Sequence, residues 1–309
     1  MNKNYIVLIG LVFTGLFSNA QQRTQIANFS QFQQYYNPAL TGNEGSMVKS
    51  FYRDHFDGSD EAPKTLFVAG ELNLADIGGK AGTEGALTHA LGLSLLNDNY
   101  GSLKNSRIAL SYNSGFKLTK TLRLHAGAAV TYDVNKFDNE GLVFDGPDDQ
   151  SALNESINKL GVNAGVAVRA ADYYIGYALT DLIEENLSDN TIFQDLYAMQ
   201  HVVQAGYRRA LTQSFGVIVN GIYRYDERQK SIAEAQVKGV YNNMLWIGAG
   251  YRNDLAYTVN AGIRFSQFKI GYSREVNSSS INGAFNSANE FTLSYNINSL
   301  VSGKKLSIW

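Results

Sequence analysis

Four histidines, His55, His89, His125 and His201, are the first residues to question for chemistry, in a 309-residue chain that contains no cysteine. No two of them stand at the i, i+2 or i, i+4 spacing that sets a pair of imidazoles on one side of a strand or helix to share a zinc ion. The missing cysteine removes disulfides, thiolate-ligated zinc, iron–sulfur clusters and thiol nucleophiles together. His125 is the best single candidate for acid–base work, because Ser111 falls about one strand away and a Ser–His pair is the start of an acyl-transfer site. Such a pair needs a third, orienting group; none is visible, so an ordinary hydrogen-bonded histidine is the competing reading. Asp145-Gly146-Pro147-Asp148-Asp149 offers carboxylates to a calcium ion, yet it lacks the ligand spacing and closing glutamate of an EF-hand and reads as a solvated acidic turn. Gly78-Gly79-Lys80 falls short of a phosphate-binding loop. No catalytic, cofactor-binding or metal-ligating residue is assigned, and no enzyme activity is expected.

The element that carries His125 alternates with a period of two. Leu122, Leu124, Ala126, Ala128, Val130, Tyr132 and Val134 fall on one face, Arg123, His125, Gly127, Thr131 and Asp133 on the other. That is a strand. The pattern returns around Val162, Ile247, Val259, Ile270 and Leu293, and less regularly near Val48, Leu66, Leu93, Leu110, Tyr173, His201, Val217 and Glu234. The count reaches about fourteen strands of roughly ten residues, the length that crosses a membrane as a tilted β-strand. Tight connections at 118–120, 171–172, 211–213, 242–243 and 266–267 alternate with long ones at 135–159, 181–199 and 276–288. Outer-membrane barrels place tight turns toward the periplasm and longer loops outside. The strand parity then sets both chain ends on the tight-turn side.

Composition agrees with an exported membrane barrel. Residues 5–17 form an apolar run after Lys3, shorter than the roughly 20 residues of a spanning helix, and end in Ser18-Asn19-Ala20. This is the pattern of a signal peptide cleaved after Ala20. Lys and Arg total 26 against 28 Asp and Glu, without the basic excess of a nucleic-acid surface. The greasy face of each strand suits lipid outside and polar groups within, whereas a soluble sandwich would reverse the faces. Tyr112, Tyr132, Tyr207, Tyr223, Tyr225, Tyr251, Tyr257 and Phe265 sit near strand ends, where aromatic girdles meet headgroups, and they favour the membrane. The expected fold is all-β: an antiparallel transmembrane β-barrel of about 14 strands over residues 46–300. A signal peptide occupies 1–20, a periplasmic or plug segment 21–45 and a tail 301–309.

Two features leave alternatives open. Residues 21–45 lack alternation but carry Phe29, Phe32, Tyr35, Tyr36 and the Asn37-Pro38 turn, so they are expected to dock, inside the lumen or against a periplasmic partner. Inward Arg123, Arg169, Arg252, Arg264 and Lys269 would make an anion-selective ladder, or would pair with Glu234, Glu275 and Glu290 in a filled barrel. Packing of the lumen favours pairing.

Phe29-Ser30-Gln31-Phe32 followed by Tyr36-Asn37-Pro38-Ala39-Leu40-Thr41-Gly42 resembles the opening of the PorP/SprF family, outer-membrane proteins associated with type IX secretion and gliding motility. Ser50-Phe51-Tyr52-Arg53-Asp54, Leu91-Gly92-Leu93-Ser94-Leu95-Leu96-Asn97-Asp98 and Trp246-Ile247-Gly248-Ala249-Gly250-Tyr251-Arg252 continue the similarity over nearly all of the mature chain. Arg53-Asp54 departs from the more usual Arg-Asn or Arg-Gln of the family. The resemblance implies a barrel in the outer-membrane lipid beside the secretion translocon, with adhesins as exported cargo and no enzyme activity. By the same resemblance Phe29, Ser30, Gln31, Tyr36, Asn37, Pro38 and Gly42 are expected to contact the machinery.

Overall fold

The structure is a computed structural model, described here for residues 24–55, 62–77, 86–137, 156–187, 199–226, 229–253, 256–277 and 287–297. The expected signal peptide at 1–20, the 301–309 tail, the acidic stretch 145–149 and Gly78-Gly79-Lys80 lie outside the described residues. Fourteen strands follow one another along the chain: β1 Met47–Asp54, β2 Lys64–Asn73, β3 Leu87–Tyr100, β4 Leu103–Lys117, β5 Arg123–Phe137, β6 Ser156–Arg169 and β7 Tyr173–Asn186. The second half comprises β8 Gln200–Ala210, β9 Phe215–Asp226, β10 Gln229–Tyr241, β11 Leu245–Arg252, β12 Ala256–Phe265, β13 Phe268–Asn277 and β14 Ser287–Asn296. Each pairs with its sequence neighbour, and β1 closes on β14 from Met47 opposite Asn296 to Asp54 opposite Asn289. Closure leaves no edge with unpaired backbone groups, the condition for β-structure in lipid.

Two-residue alternation decides what each face meets. Leu93, Leu110, Val130, Ile247 and Val259 point outward and are about half exposed, whereas Lys238, Gln236, Asn260 and Glu290 point inward and are buried. The charged side is therefore the inside, the reverse of a soluble sandwich. No described helix is long and apolar enough to cross a membrane, so crossing is done by strands. Aromatic pairs ring both ends. Phe215 and Tyr241 (ring centroids 5.0 Å apart) and Phe268 and Tyr295 (4.8 Å) flank the tight turns, and Tyr251 and Tyr257 (5.1 Å) face the opposite rim.

The tight turns show why their sequences turn. Asn242 and Asn243 both adopt positive φ (50° and 52°) and Met244 N–H donates to Tyr241 O, a type I′ hairpin between β10 and β11. Asparagine tolerates this region better than any other residue except glycine. The expected position of the chain ends needs one correction. Met47 and Asn296 do lie on the turn side, but residues 24–46 run back up the lumen, so Thr24 stands at the other mouth. Strand parity counts only wall crossings and is blind to a segment that crosses inside.

Candidate functional site

The lumen is occupied by residues 24–46, and among the described residues chemistry-bearing side chains converge on this plug. Its fold is local. Without a two-residue period it cannot join the sheet; it forms a 3₁₀ turn at Phe29–Gln31, a single helical turn α1 at Gln33–Tyr36 and a second 3₁₀ turn at Pro38–Leu40. Asn37 caps the last turn, its Oδ1 accepting from Ala39 N–H at 2.9 Å, and Pro38 sits at the first position, where no N–H is needed. Gly42 (φ 69°) and Gly45 (φ 91°) then turn the chain into β1.

Three kinds of contact hold the plug. The first is aromatic: Phe32 packs edge-on against Phe51 and Phe67 at 5.0 and 5.6 Å, and Tyr35 meets Phe67 at 5.7 Å. The second is steric. A Cβ added at Gly127 would overlap the backbone of Pro38 and Ala39, and one at Gly165 would overlap the Asn37 side chain. One at Gly176 would lie 2.6 Å from Asn37 Nδ2. These wall glycines on β5, β6 and β7 make a flat seat, on which Asn37 Nδ2 donates to Val166 O at 3.2 Å.

The third is ionic and comes from β1, β2, β10, β13 and β14. Glu290, fully buried, accepts from the backbone N–H groups of Ala27 (2.7 Å) and Asn28 (2.9 Å). Lys238 Nζ donates to Asn28 Oδ1 (2.7 Å) and Ser30 Oγ (2.6 Å), and Gln236 Nε2 donates to Ala27 O. Glu71 accepts from Gly42 N–H at 2.6 Å and pairs with Lys49 at 2.8 Å. Glu44 is ion-paired with Lys49 (3.4 Å) and Lys269. Burial by itself would push the Glu44 carboxyl up, but the Lys269 and Lys49 ammonium groups outweigh it and hold the group at about 2.

The inward charges named from the sequence divide between these roles. Arg252 binds Glu234 (2.9 Å) and Glu275 (3.1 Å), and Arg53 joins the same network through Glu275 at 2.7 Å and Glu290 at 3.8 Å. Lys269 clamps Glu44. Arg123 donates to Thr88 Oγ1 at 3.3 Å; Arg169 and Arg264 sit half-exposed at the turn-side rim. This is a paired, filled lumen, not a ladder of open cations. Inward parity was the signal that could have found Lys49 and Lys238; nothing in the sequence singled out Glu44.

His125 and Ser111 do not meet. The register sets His125 opposite Gly115 and Ser111 opposite Ala129, four residues, or about 13 Å, along the strand. His125 Nδ1 instead lies 3.2 Å from Asn113 Nδ2, which donates to Thr41 O at 2.8 Å, while Thr41 Oγ1 donates to Ser111 Oγ at 3.0 Å. Both residues thus support the plug. Phe29, Ser30, Gln31, Tyr36, Asn37, Pro38 and Gly42 are likewise buried within the lumen.

Among the described residues, cavities of about 30 and 40 Å³ lie beside the plug, both touching Tyr35, Leu96 and Arg107. Each has room for roughly two or three water molecules.

The family model described as type IX secretion system membrane protein PorP/SprF matches residues 18–295. The chain belongs to the PorP/SprF family. Among solved structures it is similar to the Ralstonia pickettii toluene transporter TbuX, at 12% identity over 85% of this chain and 92% of that one, with a TM-score of 0.51. It is also similar to CymD, a monoaromatic hydrocarbon channel, at 8% identity over 86% and 92%, with a TM-score of 0.50. At such identities the likeness is one of fold. No curated protein matches by sequence. Family and fold together place this PorP/SprF protein in the outer membrane as a membrane protein of the type IX secretion system.

Proposed function

We propose that this PorP/SprF protein is a non-enzymatic scaffold of the type IX secretion and gliding apparatus, supporting export or surface attachment of adhesin-type cargo. The observation that carries the reading is the lumen itself: among the described residues, aromatic, steric and ionic contacts hold a plug from mouth to mouth. A barrel filled in this way offers partners its rims, since a closed wall has no free strand edge. The turn-side hairpins are the surface for translocon subunits, and the long links at 135–159 and 181–199 are the surface for cargo. Deleting the gene should remove a defined set of secreted proteins from the cell surface; an unchanged surface proteome would sink the proposal.

The second reading is a pore for small or hydrophobic solutes, favoured by the fold shared with proteins described as a toluene transporter and a hydrocarbon channel. A planar bilayer separates the two. The scaffold gives no steady conductance, and the pore does.

A further inference from the structure

The plug has a direction. Its carboxyl end lies at the turn side, where Ser46 N–H and Oγ both donate to Asp76 Oδ2 at 2.8 Å, Asp76 belonging to the short helix α2, Leu74–Ile77, that follows β2. Its amino end lies at the opposite mouth. Thr24 Oγ1 donates to Asp98 Oδ2 at 2.6 Å, and Asp98 also accepts from Thr65 Oγ1 at 2.7 Å, two residues before β3 ends. Arg224, two residues before the loop-side end of β9, donates to Gln25 Oε1 at 2.6 Å. Exposure follows the same axis: Thr24 and Gln25 are half-buried, and Ile26 is fully buried.

We infer that the mature amino terminus of this protein is displayed at the cell surface. Cleavage after Ala20 leaves three residues ahead of Thr24, a reach of at most about 11 Å. The apolar band is about 25 Å tall. So short a piece cannot return to the periplasm, and the plug itself fills the way back. The terminus then joins the loop-side rim as an element that an extracellular ligand meets before any periplasmic subunit does.

The absence of native cysteine makes the test direct. Three single-cysteine variants are labelled on intact cells with a membrane-impermeant maleimide: Thr24→Cys, Ser102→Cys in the β3–β4 loop-side hairpin, and Lys120→Cys in the β4–β5 turn. Thr24→Cys and Ser102→Cys should label, and Lys120→Cys only after permeabilisation. Thr24→Cys behaving like Lys120→Cys while Ser102→Cys labels on intact cells overturns the inference. An exchange of Ser102→Cys and Lys120→Cys would instead show that the barrel is inverted, a separate failure. If half-burial leaves Thr24→Cys unreactive in both preparations, an epitope inserted between Gln21 and Gln22 decides. Antibody bound to intact cells supports display, and binding only after permeabilisation refutes it.

Discussion

The two halves of the lumen wall grip the plug by different physics. On β10, β13, β14, β1 and β2 the wall presents Lys238, Lys269, Glu290, Lys49 and Glu71, and the contacts are charge-assisted hydrogen bonds to plug backbone and side chains. On β5, β6 and β7 it presents Gly127, Gly165 and Gly176, and the contact is close approach of bare wall backbone to the Pro38-Ala39 backbone and the Asn37 side chain. Removing one partner of a buried ionic contact leaves the other charged and unsatisfied, whereas a crowded glycine seat can be relieved by shifting the plug. The ionic half should therefore be the harder to alter.

The largest effect is expected at Glu290. Replacing it with Ala orphans two buried backbone N–H donors, at about 1–3 kcal/mol each, and removes the more distant of the two carboxylates beside Arg53. Thermal unfolding in detergent should shift accordingly, and bilayer recordings should gain openings absent from the native protein. Next is Gly127→Val, whose side chain must displace the backbone of Pro38 and Ala39 at a cost of about 1–3 kcal/mol. Gly221→Ala is its control, since the nearest atom to the new Cβ would be 3.8 Å away, and its melting curve should match the native one. A seat variant as damaging as Glu290→Ala would erase the distinction between the halves. Asn37→Ala should cost about 0.5–2 kcal/mol through the lost cap.

Acid probes the ionic side alone. The Glu44 carboxyl is held below its ordinary value, so its contribution is present above about pH 4 and fades as pH falls toward 2. Protease protection of the plug should not fall between pH 7 and 5 and should weaken below that window; loss between pH 7 and 5 would mean that a group other than Glu44 governs the clamp. The smallest effect belongs to His125→Ala. It removes a contact to Asn113 and nothing catalytic, so cargo export should persist. Abolished lipid or peptide turnover in that variant would revive the hydrolase reading.

The wall was legible residue by residue. Every apolar repeat read from the chain, from Val48 in β1 to Leu293 in β14, falls in a strand, because side-chain direction in a β-strand follows chain position alone. The tight turns at 242–243 and 266–267 were equally plain, since Asn and Ser there accept the positive φ that a two-residue hairpin needs. The polar face also announced Arg252 and Lys269 as lumen charges. Their partners were less visible: Glu234 and Glu275 share the strand alternation, but Glu44 belongs to a segment with no period at all.

That segment marks the boundary. Hydrophobic alternation is a local property of consecutive residues, so it could specify fourteen crossings, their faces and their turns before any of them met. The course of residues 24–46 depends on groups more than 200 positions away, with Ala27 against Glu290 and Asn28 against Lys238. Such pairings exist only once the sheet has curled and brought its first and last strands together. The lumen position of Phe29 and Asn37, and the mouth at which Thr24 stands, therefore depend on tertiary closure.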